Sequence, residues 1–232
     1  MRPCPVPVPL SLAFSENSMK TVLFVHGIGG SEDGYEMGYL REFLAPYDVR
    51  LVVKAYTFDP EAAKVRILPW VEEYRPNLII GESMGACYAM LLGGAPHLFI
   101  SPAINAPKAL YIHRNLSRIP FMQRFYEKLL DPGQPPVRQK IDCSPESLSH
   151  FRNLRRDALE AFARLSPDEK PFAFFGTWDI LVYLGFVSPF TWRRLFGKGS
   201  FAIHRCGHVM NREQVRTLLL PKVLEILGIG GN

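Results

Sequence analysis

Gly81-Glu82-Ser83-Met84-Gly85 sets a serine between two glycines, after the apolar stretch Leu78-Ile79-Ile80 and before the helix-forming run Ala86-Cys87-Tyr88-Ala89-Met90-Leu91-Leu92. The pentapeptide by itself is common by chance. In this strand-to-helix context it predicts a sharp, strained turn in which side chains at the glycine positions would strike neighbouring chain. Such a turn lifts the Ser83 hydroxyl clear of a sheet and over a helix N-terminus. The unpaired N–H groups and the helix dipole there favour a developing negative charge. The chemistry this suits is nucleophilic attack on an acyl carbonyl.

A second constellation is His26-Gly27-Ile28-Gly29-Gly30 at the end of an apolar run. It lacks both G-x-G-x-x-G and the Lys-Ser/Thr of a phosphate-binding loop. Beside an elbow, its glycines better serve to bring a backbone N–H close to a carbonyl oxygen. Ile28 N–H and Met84 N–H are the expected oxyanion donors, and His26 is read as anchoring the loop.

A serine also needs a base. Of His26, His97, His113, His150, His204 and His208, the last sits in Cys206-Gly207-His208, just past the final strand-like run. His204, at the end of that run, is expected to pack on the sheet. In the chain order Ser–Asp–His the acid comes from a loop after an earlier strand, and Asp179 follows Phe172–Gly176 through Thr177 and Trp178. Asp142, Asp157 and Asp168 read as surface charges.

These loops need strands to carry them. Short runs apolar on both faces stand at 21–26, 51–55, 78–81, 98–101, 172–176 and 201–204. That is the signature of buried parallel strands. Helical spacing fills 35–44 and 62–74 between them. The alternation predicts an α/β fold with a mainly parallel sheet of about six strands, in the order 2-1-3-4-5-6. The connection from 105 to 170 is too long for one helix. It holds amphipathic stretches at 121–130 and 151–165, turn residues at 131–136, and a capping-box pattern at 166–169. It reads as a helical cap over the carboxyl ends of the strands. Phe121, Phe125, Phe151 and Phe162 are candidates either for lining an acyl pocket or for core packing.

The 232 residues, 47% hydrophobic, suit one domain and a sizeable core. No apolar run reaches the roughly 20 residues of a membrane-spanning helix, so no stable membrane insertion is expected. Residues 1–18 read as an irregular proline-rich arm with a short strand at 10–14, and Met19 offers a second start. The arm is a poor signal peptide because proline interrupts it at every second residue. Cys4, Cys87, Cys143 and Cys206 have no metal-ligand or disulfide-framework spacing, which points to a reducing cytoplasm. Net charge is +5 but uneven: residues 21–104 carry 6 Lys/Arg and 10 Asp/Glu, whereas 105–170 carry 12 and 8. With no nucleic-acid-binding signature, the basic half is read as solvated surface.

Taken together, H-G-x-G-G, G-x-S-x-G, a late aspartate and a final Gly-His resemble the α/β-hydrolases over about residues 20–230. Ser101-Pro102-Ala103 after the fourth strand and the Gly176–Asp179 segment are similar to those of small bacterial esterases of the YqiA type. The resemblance implies a Ser83–His208–Asp179 triad, no cofactor, no metal, and small-molecule ester or thioester substrates. A thioesterase or C–C bond hydrolase on the same triad, or a non-catalytic binding protein on the fold, are the alternatives; the oligomeric state is open.

Overall fold

A computed structural model describes residues 19–130 and 139–230. The expected arm at 1–18, its strand at 10–14, and the turn at 131–136 lie outside the described residues. Six parallel strands form one sheet: β1 (Lys20–Val25), β2 (Val49–Val53), β3 (Leu78–Glu82), β4 (His97–Ile100), β5 (Phe172–Gly176) and β6 (Phe201–His204). Their order is β2-β1-β3-β4-β5-β6, as the sequence predicts.

The central strands are apolar on both faces because both are covered. Val22, Phe24, Leu78, Ile80, Leu98 and Ile100 pack under α1 (Tyr35–Leu44) and the C-terminal helices. Leu23, Val25, Ile79, Phe99, Ala173 and Phe175 face the helices of the other layer. Each such side chain, removed from water, contributes roughly 1.5–3 kcal/mol.

The second layer departs from expectation in detail. The helix predicted at 62–74 is two: α2 (Pro60–Ile67), capped by the Asp59 side chain, and α3 (Trp70–Tyr74). Pro69 between them has no N–H to continue the ladder. After α4 (Gly85–Ala89) and β4 come α5 (Ala106–His113) and α6 (Pro120–Leu130). The stretch predicted as one helix at 151–165 is preceded by α7 (Pro145–His150), and only α8 (Leu154–Leu165) continues it. The capping box at 166–169 does not form. Ser166 ends α8, its carbonyl accepts from Glu169 N–H in a single turn, and the Glu169 carboxylate instead binds the backbone N–H and Nδ1 of the buried His97. Satisfying a buried imidazole outweighs an exposed cap. Short α9 (Ile180–Tyr183) and α10 (Pro189–Phe196) follow β5. Beyond β6, α11 (Arg212–Gln214) runs through a π turn at Val215–Leu219 into α12 (Leu220–Leu227). Pro221 accounts for the irregular turn, since its ring cannot fit a regular α ladder.

Among the described residues no helix is long and apolar enough to cross a membrane. Cys87, Cys143 and Cys206 are buried free thiols, and burial pushes Cys87 and Cys143 up to about 12.

Candidate active site

In this strand order the chain leaves β1 toward one edge and β3 toward the other, so a crevice opens between their carboxyl ends. The loop after β1 holds Gly27–Gly30 and the turn after β3 holds Ser83. Ser83 has φ +52°, a left-handed conformation unusual for a residue with a side chain, at a cost of order 1–3 kcal/mol. Three backbone bonds hold it: Ser83 N–H to Ile100 O (2.9 Å), Ala103 N–H to Ser83 O (2.9 Å) and Ala86 N–H to Ser83 O (3.2 Å). The flanking glycines have no room for more. A Cβ on Gly85 would lie 2.2 Å from Val25 O, and one on Gly81 would lie 2.8 Å from both Ala86 Cα and Ala89 Cβ.

Asp179 and His208 hang from β5 and β6, which are neighbours in the sheet. Thr177 N–H to His204 O (2.9 Å) and Trp178 N–H to Cys206 O (2.9 Å) zip the two loops together. Only glycine fits at 176, because a Cβ would meet Gly207 O at 2.2 Å. The result is a chain of hydrogen bonds: Asp179 Oδ2 to His208 Nδ1 at 2.8 Å, and His208 Nε2 to Ser83 Oγ at 2.8 Å. Asp179 is fully buried, and its Oδ1 accepts the Leu181 N–H at 2.8 Å. An ionised Asp179 facing Nδ1 selects the tautomer with the proton there, leaving Nε2 to accept from Ser83.

The loop after β1 is pinned amide by amide. Gly27 N–H donates to Glu82 Oε2 (3.4 Å), Gly29 N–H to Gln139 Oε1 (3.1 Å) and Gly30 N–H to Gly27 O (3.1 Å). Ile28 N–H takes part in no such loop hydrogen bond among the described residues. His26 lies beneath the loop, fully buried and stacked on Tyr56 at 4.5 Å, with Nδ1 donating to Gly27 O at 2.8 Å. Burial lowers its pKa, so the ring is neutral. His204 faces Phe174 at 5.4 Å, with its pKa likewise lowered by burial. His97, His113 and His150 pair with Glu169, the Tyr126 hydroxyl and Asp59. Asp142 Oδ1 accepts the Ser144 N–H and Asp157 pairs with Arg156.

A cavity of about 560 Å³ opens over Ser83 and His208. Ile28, Met84, Ala106, Leu110, Leu129, Leu130, Leu181 and Phe186 supply its apolar wall. None of the four singled-out phenylalanines lines it: Phe151 and Phe162 are core residues, while Phe121 and Phe125 are exposed. Helical spacing marks an apolar face but not which cavity it meets.

Sequence reasoning missed Gln139, which reaches back 110 positions to Gly29 and also donates to Tyr56 O (3.2 Å). It missed, too, the carboxyls of Glu36 and Glu82, both buried in the cavity wall. Neither has a local sequence signal beyond Glu82's place in the elbow. Among the described residues no cluster of His, Cys, Asp or Glu is arranged to hold a metal ion.

At the level of sequence no family model and no curated protein matches the chain. Solved structures do resemble it. Est1E from Butyrivibrio proteoclasticus, with ferulic acid bound, superposes with a TM-score of 0.61 at 13% identity over 92% of each chain. A bromoperoxidase from Bacillus anthracis gives 0.56 at 14% identity, covering 91% of this chain and 92% of that one. The alpha/beta hydrolase domain-containing protein 10 from mouse gives 0.56 at 11% identity, covering 91% and 90%. With the sheet order, this likeness shows the α/β-hydrolase fold.

Proposed function

We propose that the protein is a serine hydrolase that cleaves carboxylic esters through an acyl-enzyme. The observation that carries this reading is the unbroken Asp179–His208–Ser83 hydrogen-bond chain at the floor of an apolar cavity. His208 Nε2 takes the Ser83 proton as Oγ attacks the acyl carbonyl. Asp179 stabilises the imidazolium that forms. The N–H groups of Ile28 and Met84 receive the oxyanion. His208 then protonates the leaving alcohol and afterwards activates water, which releases the acid and restores Ser83.

The apolar wall suits an acyl group, and the volume falls within the roughly 300–1,000 Å³ of small-molecule sites. Residues 105–170 act as a cap that shapes the pocket: Ala106, Leu110, Leu129 and Leu130 come from it, and none of the three reacting residues does. The motif likeness to YqiA-type esterases supports ester or thioester substrates, of which the oxygen ester is the one proposed. Buried free thiols at Cys87, Cys143 and Cys206 support a reducing compartment, the cytoplasm.

The direct test is fluorophosphonate labelling with the modified residue mapped by mass spectrometry, followed by a screen of oxygen esters, acyl-thioesters and vinylogous diketones. Labelling at Ser83 with preference for oxygen esters is expected. A folded protein that takes no label is a binding protein on this fold.

The cavity wall makes a further expectation. Leu129→Ala and Phe186→Ala should change the ratio of long-chain to acetate ester kcat/KM by about tenfold, the worth of one or two methylene contacts. Phe121→Ala, which lies off the cavity, should leave that ratio in place. An equal fall on every ester would mean that the cap does more than select.

A further inference from the structure

We propose that Glu36 and Glu82 share one proton across a carboxyl–carboxylate hydrogen bond, and that this bond positions the loops carrying Ile28 and His208 about Ser83. The two side chains come from different elements, the first turn of α1 and the elbow itself, yet both carboxyls are buried in the wall of the same cavity. Glu36 is 2% exposed and Glu82 9%. Each is also tied to a functional loop. Glu82 Oε2 accepts the N–H of Gly27, next to Ile28. Glu36 Oε1 accepts the N–H of Met210, two residues beyond His208. The pair therefore bridges α1, the elbow, the oxyanion loop and the base loop.

Two oxygens cannot form that bond without a proton between them. Two bare carboxylates at this depth would repel, and the surroundings offer little relief. The groups acting on Glu36 are the Glu82 carboxyl and the Met210 amide. His26 and Tyr56 face Glu82, with His26 neutral and the Tyr56 hydroxyl spent on the His26 carbonyl. Cys206 faces Glu36 as a thiol that burial keeps protonated, and His208 lines the same cavity. Burial first, and the Glu82 charge second, hold Glu36 well above the usual carboxylate range. One proton on the pair leaves a single, charge-assisted hydrogen bond, the strongest arrangement open to it.

The proton-sharing half stands apart from the hydrolase reading, whereas the positioning half rests on it. The tests separate them. Because the folded state holds the Glu36 proton more tightly than the unfolded chain, the stability it contributes is complete below pH 4.5 and is lost as pH rises toward the folded value. Glu36→Gln cannot lose a proton there. Its Tm relative to the parent should climb as pH rises above 5, by up to about 3 °C per pH unit. The parent should also show, in D₂O at pH 7, the infrared carbonyl stretch of a protonated carboxylic acid, absent from Glu36→Gln. A flat Tm difference, or no such band, overturns the shared proton whether or not any ester is cleaved.

For positioning, Glu36→Leu removes both hydrogen bonds and should lower kcat by about 100-fold with KM moved far less, the effect of a misplaced reacting group. Glu36→Gln, which can donate to Glu82 and accept from Met210, should recover most of that loss. Equal kcat in the Leu and Gln variants overturns the positioning role. Should the parent cleave nothing, the hydrolase reading fails while the Tm and infrared results still decide the pair.

Discussion

Ser83→Ala should take no fluorophosphonate label and lose about 10⁶-fold in kcat, the scale on which serine hydrolases lose activity with their nucleophile. The substitution deletes one oxygen from a residue whose backbone is fixed independently, by the bonds to Ile100, Ala103 and Ala86 and by the tight glycines on either side. Alanine bears the same left-handed φ at a similar cost, so circular dichroism and Tm should match the parent. What remains of the rate enhancement comes from binding and the oxyanion donors. Ser101 provides an internal control. It shares the left-handed backbone (φ +43°) and is 2% exposed, but the imidazole is bound to Ser83. Peptide mapping should find label on Ser83 and none on Ser101. Undiminished labelling or turnover in Ser83→Ala would remove the mechanism.

Asp179→Asn has the second largest expected effect, and the structure dictates how it arises. One carboxylate oxygen accepts the Leu181 N–H and the other faces His208 Nδ1. Asparagine has a single acceptor oxygen. The Leu181 amide claims it, which turns the asparagine NH₂ toward His208 and forces Nδ1 to accept. The imidazole proton then moves to Nε2, where it can no longer take the Ser83 proton. A fall of about 10⁴ in kcat follows, with little change in fold. Asp142→Asn, Asp157→Asn and Asp168→Asn should stay within a few-fold of the parent, since the first two serve a local turn and a surface ion pair. A fully active Asp179→Asn protein, or a folded but inactive Asp157→Asn protein, would show that another carboxylate orients the base.

The strand order and the places of Ser83, Asp179 and His208 could be read from sequence because each depends on a local pattern. Strands apolar on both faces, the G-x-S-x-G turn and a polar residue just past a strand end are all visible within ten residues. What stayed hidden depends on distant partners. Gln139 has no signal of its own, and its role exists only because the chain returns to Gly29. Glu169 follows a serine at capping-box spacing, but a buried histidine 72 positions away claims its carboxylate. Glu36 and Glu82 stand 46 positions apart, and only the fold buries both in one cavity wall. The phenylalanine stripes show the converse: periodicity locates an apolar face, and only packing decides whether it meets a core, a cavity or water.

The strands that carry the site are not equally secure. The elbow follows β3, which is paired on both sides and fully covered. His208 follows β6, an edge strand bonded only to β5, with Ile203 53% exposed. Fraying of that edge costs far less than opening the centre of the sheet. On warming, the imidazole should therefore part from a serine still held in its strained turn. Catalytic competence would then fade reversibly below the melting temperature, and the protein would carry its own thermal cut-out at the margin of the sheet.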